Sequence, residues 1–312
     1  MIEILHPGVL ASVQDCGRYG YRRFGVPISG AMDNYSLRVA NILVGNPENK
    51  AGMEVTLGYG FKLKAHRDAL IAITGGDLSP KVNNESIPTW RALWLKKENI
   101  LTFTSPKSGF RAYIAVGGGI EVPFLMNSYS PMVGSLVGIL KPGDRLRIGE
   151  TAGSVKQNLH PLPDHYVPEY KNKIQLSVIW GPQDDYFTSE ALELFLNSEY
   201  IITVQSNRQG YRLEGPVLRH IKTHDVISEG VWPGAVQVPG DGLPIILCAD
   251  AQTTGGYPKI ASVVSADIDK LGQAKPSDKI SFKWVSVEEA HRRYLEREEK
   301  IEALKKMVGG DS

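Results

Sequence analysis

Short apolar runs separated by glycine- and proline-bearing turns dominate this chain. Residues 69–74, 111–116, 174–179 and 245–249 are rich in aliphatic and β-branched side chains and too short for typical helices. With 32 glycines and 19 prolines scattered between such runs, they predict strands joined by tight turns and a mainly β chain. Two helical patterns interrupt it. In the first, Asp33 is placed to accept hydrogen bonds at a helix N-terminus, Leu37, Ala40, Ile42, Leu43 and Val44 supply buried side chains, and Gly45 can stop the helix. In the second, Asp184 and Asp185 precede Phe187, Ala191, Leu192, Leu194, Phe195 and Leu196. Both are expected to pack on sheets. A third helix is predicted over 286–308, with Ser286 and Glu289 in capping-box positions and Gly309-Gly310 at its end. Its apolar face, Ala290, Tyr294, Ile301 and Leu304, is discontinuous, which suits a surface or an interface.

The Pro-x-Asp turn and alternating strand of Lys141-Pro142-Gly143-Asp144-Arg145-Leu146-Arg147-Ile148 return in Lys275-Pro276-Ser277-Asp278-Lys279-Ile280-Ser281-Phe282. This is compatible with an internal duplication, and equally with a common turn used twice. Between the two copies, 150–173 is polar, contains Pro161, Pro163 and Pro168, and lacks sustained periodicity. The expected organisation is therefore a first β subdomain over 1–150, a linker over 151–173, a second β subdomain over 174–285, and a C-terminal helix and tail over 286–312.

Composition narrows the partners. Thirty-five Lys and Arg against 34 Asp and Glu give a formal net charge of +1, so no global field favours nucleic acid or anionic lipid. In the last helix, Arg292, Arg293, Lys305 and Lys306 are balanced by Glu296, Glu298, Glu299 and Glu302. Cys16 and Cys248 have no spacing that suggests zinc or redox chemistry. The first ten residues do not have the form of a secretory signal, and no apolar stretch approaches a membrane span, so a cytoplasmic protein is expected.

Three clusters are candidates for chemistry. Ser12-Val13-Gln14-Asp15-Cys16-Gly17-Arg18-Tyr19-Gly20, followed by Gly25-Val26-Pro27-Ile28-Ser29-Gly30-Ala31-Met32-Asp33, combines glycines with Gln, Asp, Arg and Ser, as where backbone bends closely around a ligand. The bland alternative is a turn in which Asp15 and Arg18 pair with each other. In Ser206-Asn207-Arg208-Gln209-Gly210-Tyr211-Arg212-Leu213, Arg208 and Arg212 offer guanidinium forks suited to carboxylate or phosphoryl groups, although Arg212 is equally acceptable as a structural residue. The densest cluster runs over 228–242 and 249–258. There, consecutive loop amides can form anion-binding nests, and Gln237, Asp241, Asp250, Gln252 and Thr253 add donors and acceptors.

Other motifs are excluded or weak. Thr74-Gly75-Gly76-Asp77 and Gly117-Gly118-Gly119 read as strand-end turns, and neither G-x-x-x-x-G-K-[ST] nor a helix-opening G-x-G-x-x-G occurs. The seven histidines include no H-E-x-x-H, and His220 and His224, four apart on a possible helix face, lack a completing carboxylate, so no metal site is expected. No G-x-S-x-G elbow supports a serine hydrolase.

Across these clusters the chain resembles the family of the 5-oxoprolinase C subunit, also known as allophanate hydrolase subunit 2, as the biotin-dependent carboxyltransferase A/B domain, or as the Kip-type antagonist of a kinase inhibitor. The resemblance covers nearly the whole chain and is carried most specifically by 12–18, 25–33, Ala40-Asn41 with Val44-Gly45-Asn46, 210–213, 237–242 and 253–258. It implies two cyclophilin-like β-barrel subdomains with a few short helices and a C-terminal helix. It also implies two partners, the smaller B-type (KipI-like) protein and the A-type protein of 5-oxoprolinase, and ATP-dependent opening of 5-oxoproline to glutamate. ATP would then be bound unconventionally or by a partner.

On that basis Arg18 and Arg208 are expected to stabilise an anion or a carbonyl. Asp15 and Asp250 are expected to act as base or positioning groups, and Gln14, Gln237 and Thr253 to recognise an amide, with Asp241, Gln252 and Thr254 also contacting substrate. Loops of both halves are expected to converge on one cavity. The chain departs from the family pattern in carrying Asp250-Ala251 where Asp-Arg is usual, Leu243 where glutamine is common, and a different wording around 126–131 and Gly138-Ile139. Two rival readings follow: the carboxyltransferase component of a urea or amide carboxylase, served by biotin on a separate carrier, and a non-catalytic Kip-type regulator that binds its B-type partner.

Overall fold

The computed structural model describes residues 1–131, 138–151 and 160–309, and the chain forms two compact units. Unit 1 comprises Met1–Arg18, Asp33–Tyr170 and Glu298–Ser312; unit 2 comprises Tyr19–Met32 and Lys171–Arg297. Each unit therefore includes a short segment distant in sequence from its main body. Within unit 2, Met32 enters the barrel core and the Ser29 amide donates to the Ala249 carbonyl at 2.9 Å. Within unit 1, Ile301, Leu304 and Val308 are buried with Val39, Ala40 and Leu43. Part of the expected linker, 152–159, lies outside the described residues, and beyond it Leu162 and Tyr166 are buried in unit 1.

Mainly β architecture follows from the strand pattern. In unit 1 the strands form a seven-stranded and a five-stranded sheet. At the centre of the smaller sheet, Ala69–Asp77 and Ser108–Val116 are almost wholly buried, as continuous apolar runs require when both faces are covered. The two-residue period divides them: Ile71, Ile73, Ala112, Ile114 and Val116 face one core, while Leu70, Ala72 and Ala115 join Val39, Ala40 and Leu43 of helix α1 (Asn34–Leu43). Asp33 caps α1 as expected, its carboxylate accepting from the Ser36 amide at 2.9 Å, and Gly45 follows the helix end in left-handed backbone with φ 75°. Gly75 and Gly76, expected in a turn, lie inside the strand, where Gly75 has φ 78° at an irregularity in pairing with Ser108–Val116.

In unit 2 seven strands close a barrel in the order Lys173–Trp180, Lys259–Val263, Ala235–Gln237, Ile245–Leu247, Gly210–Glu214, Glu199–Ile202 and Lys279–Trp284, the last running parallel to the first. Alternation fills its interior: Tyr211 and Leu213 point in beside exposed Arg212, and Ile280 and Phe282 do likewise. Helix α2 (Ser189–Asn197) stacks Phe195 on Phe282 at 4.2 Å between ring centroids. Its cap is Thr188, and Asp184–Tyr186 before it makes a separate 3-10 turn. A short helix, α3 (Ile268–Gly272), precedes the Lys275 turn, and α4 (Val287–Gly309) ends the described chain with Ser286 Oγ accepting from the Glu289 amide.

The repeated turn is real at the level of hydrogen bonds. Asp144 Oδ2 accepts from the Lys141 amide at 2.7 Å, and Asp278 Oδ2 from the Lys275 amide at 3.1 Å. The strands that follow are paired differently. Arg145–Ile148 is antiparallel to both neighbours, whereas Lys279–Trp284 has one parallel partner.

Candidate functional site

The glycine-rich loop after Leu10–Gln14 is built around two buried charges in unit 1. The Asp15 carboxylate, in a residue 4% exposed, accepts from the Gly17 amide at 2.9 Å, Ser128 Oγ at 2.8 Å, the Tyr129 amide at 2.7 Å and Ser130 Oγ at 2.7 Å. Fully buried Arg18 donates through Nε to the Leu125 carbonyl at 3.3 Å and through Nη2 to the Ser130 carbonyl at 2.7 Å. Both side chains thus grip the loop at 125–130. Three of these donors meet Oδ1 and one Oδ2, and the three that come from 128–130 suit Asp15 to holding that loop in place. Gln14 is equally buried, with Nε2 on Ser12 Oγ at 2.9 Å.

The remaining expected site residues belong to unit 2, and strand register separates them. Gln237 lies opposite Ile245, whereas Leu247, at the other end of that strand, lies opposite Gly210. Gln237 therefore marks one end of the barrel, and Arg208 with Asp250 marks the other. There, Arg208 grips Asp250 in bidentate fashion, Nε to Oδ2 at 2.8 Å and Nη2 to Oδ1 at 3.1 Å, and Nη2 also donates to the Gly30 carbonyl at 2.6 Å. The Asp250 amide returns a bond to the Arg208 carbonyl at 2.9 Å. Such a fork fixes three loops at once. Ala251 beside it is fully buried in a small apolar cluster with Val231, Ala235 and Leu247.

Other expected contacts have local duties. Exposed Asp241 accepts from the Leu243 amide at 3.0 Å, a side-chain-closed turn between two barrel strands. The Thr253 carbonyl accepts from the Val231 amide at 3.1 Å and from Arg22 Nη2 at 3.3 Å, and burial lowers the pKa of that guanidinium. Thr254 pairs with Gly230 in a two-stranded ribbon, Glu229–Gly230 with Thr254–Gly255, and Gln252 is exposed beside it. His220 lies on no helix: it bridges to Phe187, with Nε2 3.1 Å from the Val238 carbonyl.

The Gln237 end holds a group that the sequence motifs passed over. Lys259 opens a wholly buried strand directly opposite Gln237, and its side chain has no exposed surface. Its Nζ is bonded to Glu229 Oε1, the same oxygen that receives Gln183 Nε2 at 2.7 Å, while Gln183 Oε1 accepts from the Lys259 amide at 3.1 Å. The Gln237 amide sits directly beneath the ribbon: a Cβ on Gly255 would lie 2.6 Å from its Nε2. The bond from Lys259 is the main reason the Glu229 carboxyl has a pKa below the usual range, and burial opposes it. A lysine at the start of the run 259–264, whose other residues are apolar except Ser262, was the available signal.

A mainly β chain with a closed barrel whose ends present a buried ammonium, converging amides and a locked Arg-Asp fork is suited to holding small anionic or amide-bearing groups. The profile of the carboxyltransferase domain, subdomain A and B, matches residues 24–284, and the chain belongs to that family. It is 38% identical to the C subunit of 5-oxoprolinase from Escherichia coli (strain K12) over 315 residues, covering 97% of each chain. It is 33% identical to the protein of the same name from Haemophilus influenzae, covering 99% of each. Its fold is similar to the crystal structure of K. lactis urea amidolyase, with a TM-score of 0.89 and 32% identity, over 97% of this chain but 20% of that one.

Proposed function

We propose that this chain is the C-type subunit of an ATP-dependent 5-oxoprolinase complex. In that complex the lactam bond of 5-oxoproline is opened, water supplying oxygen to the carbonyl carbon and hydrogen to the nitrogen, to give glutamate. The supporting observation is the end-to-end match, 97% of both chains, to a protein bearing that name. The partners are the A-type and B-type proteins of the complex, and ATP belongs to one of them. The 117–119 glycine turn does not offer a phosphate cradle: a Cβ on Gly118 would meet the Gly149 backbone at 2.4 Å and one on Gly119 the Lys50 side chain at 2.3 Å, so that turn is filled by the chain itself.

Within this reading, Lys259, Gln183 and Gln237 are the groups suited to polarise or hold a carbonyl or carboxylate. Arg208 with Asp250, and Asp15 with Arg18, are positioning residues, each set holding the loops of its own unit.

The similarity to urea amidolyase supports a second reading, carboxyl transfer from biotin on a separate carrier to urea or another amide. A label experiment separates the two. The complex assembled from this chain and its A- and B-type partners is given ATP, labelled bicarbonate, and either 5-oxoproline or urea. Unlabelled glutamate from 5-oxoproline is the expected result; label appearing in a carboxylated amide, dependent on a biotin carrier, would replace the proposal by the second reading.

A further inference from the structure

We infer that Lys259 Nζ and Gln183 Nε2 form a carboxylate-binding site at the Gln237 end of the unit 2 barrel, in which Glu229 is a displaceable internal occupant and an external small carboxylate is the ligand. The asymmetry of the ion pair is the first reason. Lys259 has 0% side-chain exposure and Glu229 has 43%. A buried ammonium left without an anion is strongly destabilising, whereas a half-exposed carboxylate returns to water at little cost. The lysine therefore requires an anion, but not this one.

The donors are also arranged as for a ligand. The Lys259 ammonium and the Gln183 amide converge on a single oxygen, Glu229 Oε1. The amide's direction is fixed from behind, because Gln183 Oε1 is held by the Lys259 backbone N–H at 3.1 Å. Two donors directed at one acceptor position are what carboxylate recognition needs, and the Gln183 amide does not depend on Glu229 for its placement.

The occupant is loosely anchored by comparison. Glu229 sits in a strand of two residues, both exposed, paired with Thr254–Gly255 in its ribbon. Its neighbour Gly230 faces open space, with nothing within 4 Å of where a Cβ would stand. A ribbon with few buried apolar contacts opens at low cost. Displacement of Glu229 would free the ribbon while the barrel strands beneath keep their pairing.

The inference does not depend on the oxoprolinase reading, since it is tested on the isolated full-length chain without ATP or partners. Acetate is titrated against wild type, E229A and E229A/K259M, with chloride at matched ionic strength as the control, and saturable stabilisation is read as a shift in Tm. An internal carboxylate that fills the site ~90% of the time weakens an external one about tenfold, so E229A is expected to saturate at about one tenth of the wild-type acetate concentration. Loss of that response in E229A/K259M is the second expected result. A folded E229A with no saturable acetate effect, or an effect that persists in E229A/K259M, would overturn the inference. Should E229A fail to fold, hydrogen exchange at the Val231 and Gly255 amides of the wild type decides: acetate but not chloride should accelerate it to a plateau, and exchange indifferent to acetate would overturn it.

Discussion

Arg208 shows how much of a residue's role lies in its partners. Its guanidinium serves Asp250 and the Gly30 carbonyl together, with its side chain 12% exposed. Arg208→Ala is expected to destabilise the protein by about 2–3 kcal/mol, because a largely buried carboxylate and a carbonyl lose their donors. Arg208→Lys should recover only part, since a single ammonium cannot reproduce the fork; denaturant melts of the three proteins check the order. Ala251 makes the opposite test. Ala251→Arg puts a charged chain into the cluster of Val231, Ala235 and Leu247 and should cost about 3 kcal/mol, visible as a lowered midpoint in the same melts. The sequence singled out Arg208 and Asp250 as candidates for chemistry, and the structure makes them partners of each other. Lys259 escaped notice for a physical reason: Gln183 is 76 residues away and Glu229 is 30, so the cluster exists only once strand pairing has assembled it.

At the scale of elements, local rules were the legible ones. Asp33 capping α1 is decided within three residues of chain, and the structure adds Ser36 Oγ at 2.6 Å and Tyr170 Oη at 3.1 Å on the same carboxylate. Asp33→Ala should therefore cost about 2 kcal/mol, the upper part of the range for caps, in a thermal or chemical melt. The start of the second helix was less legible, because Asp184, Asp185 and Thr188 all suit a cap, and the 3-10 turn over Asp184–Tyr186 leaves the role to Thr188. The Glu229 ribbon carries a pH signature. A carboxyl whose folded pKa lies below its unfolded value contributes above the unfolded pKa, and loses that contribution as pH falls through the folded one. Amide protection of Val231 and Gly255 should thus hold from neutral pH through the ordinary glutamate range near about 4.3 and fall only below it. Protection that already declines above that range would show that Glu229 is not held by Lys259.

For the whole molecule, the sequence carried the class and the family, while the exchange of segments between units was beyond it. Residues 19–32 join unit 2 and 298–312 join unit 1 through contacts made far along the chain, as Met32 and Ile301 show. No helix among the described residues is long and apolar enough to cross a membrane. The central claim concerns assembly: this family member completes an enzyme with A- and B-type partners. Glutamate formation from 5-oxoproline and ATP, measured with the three proteins together and with each omitted in turn, tests it most directly. Turnover that requires this chain is the predicted result. A stable three-protein complex that forms no glutamate, or equal turnover when this chain is left out, would contradict it.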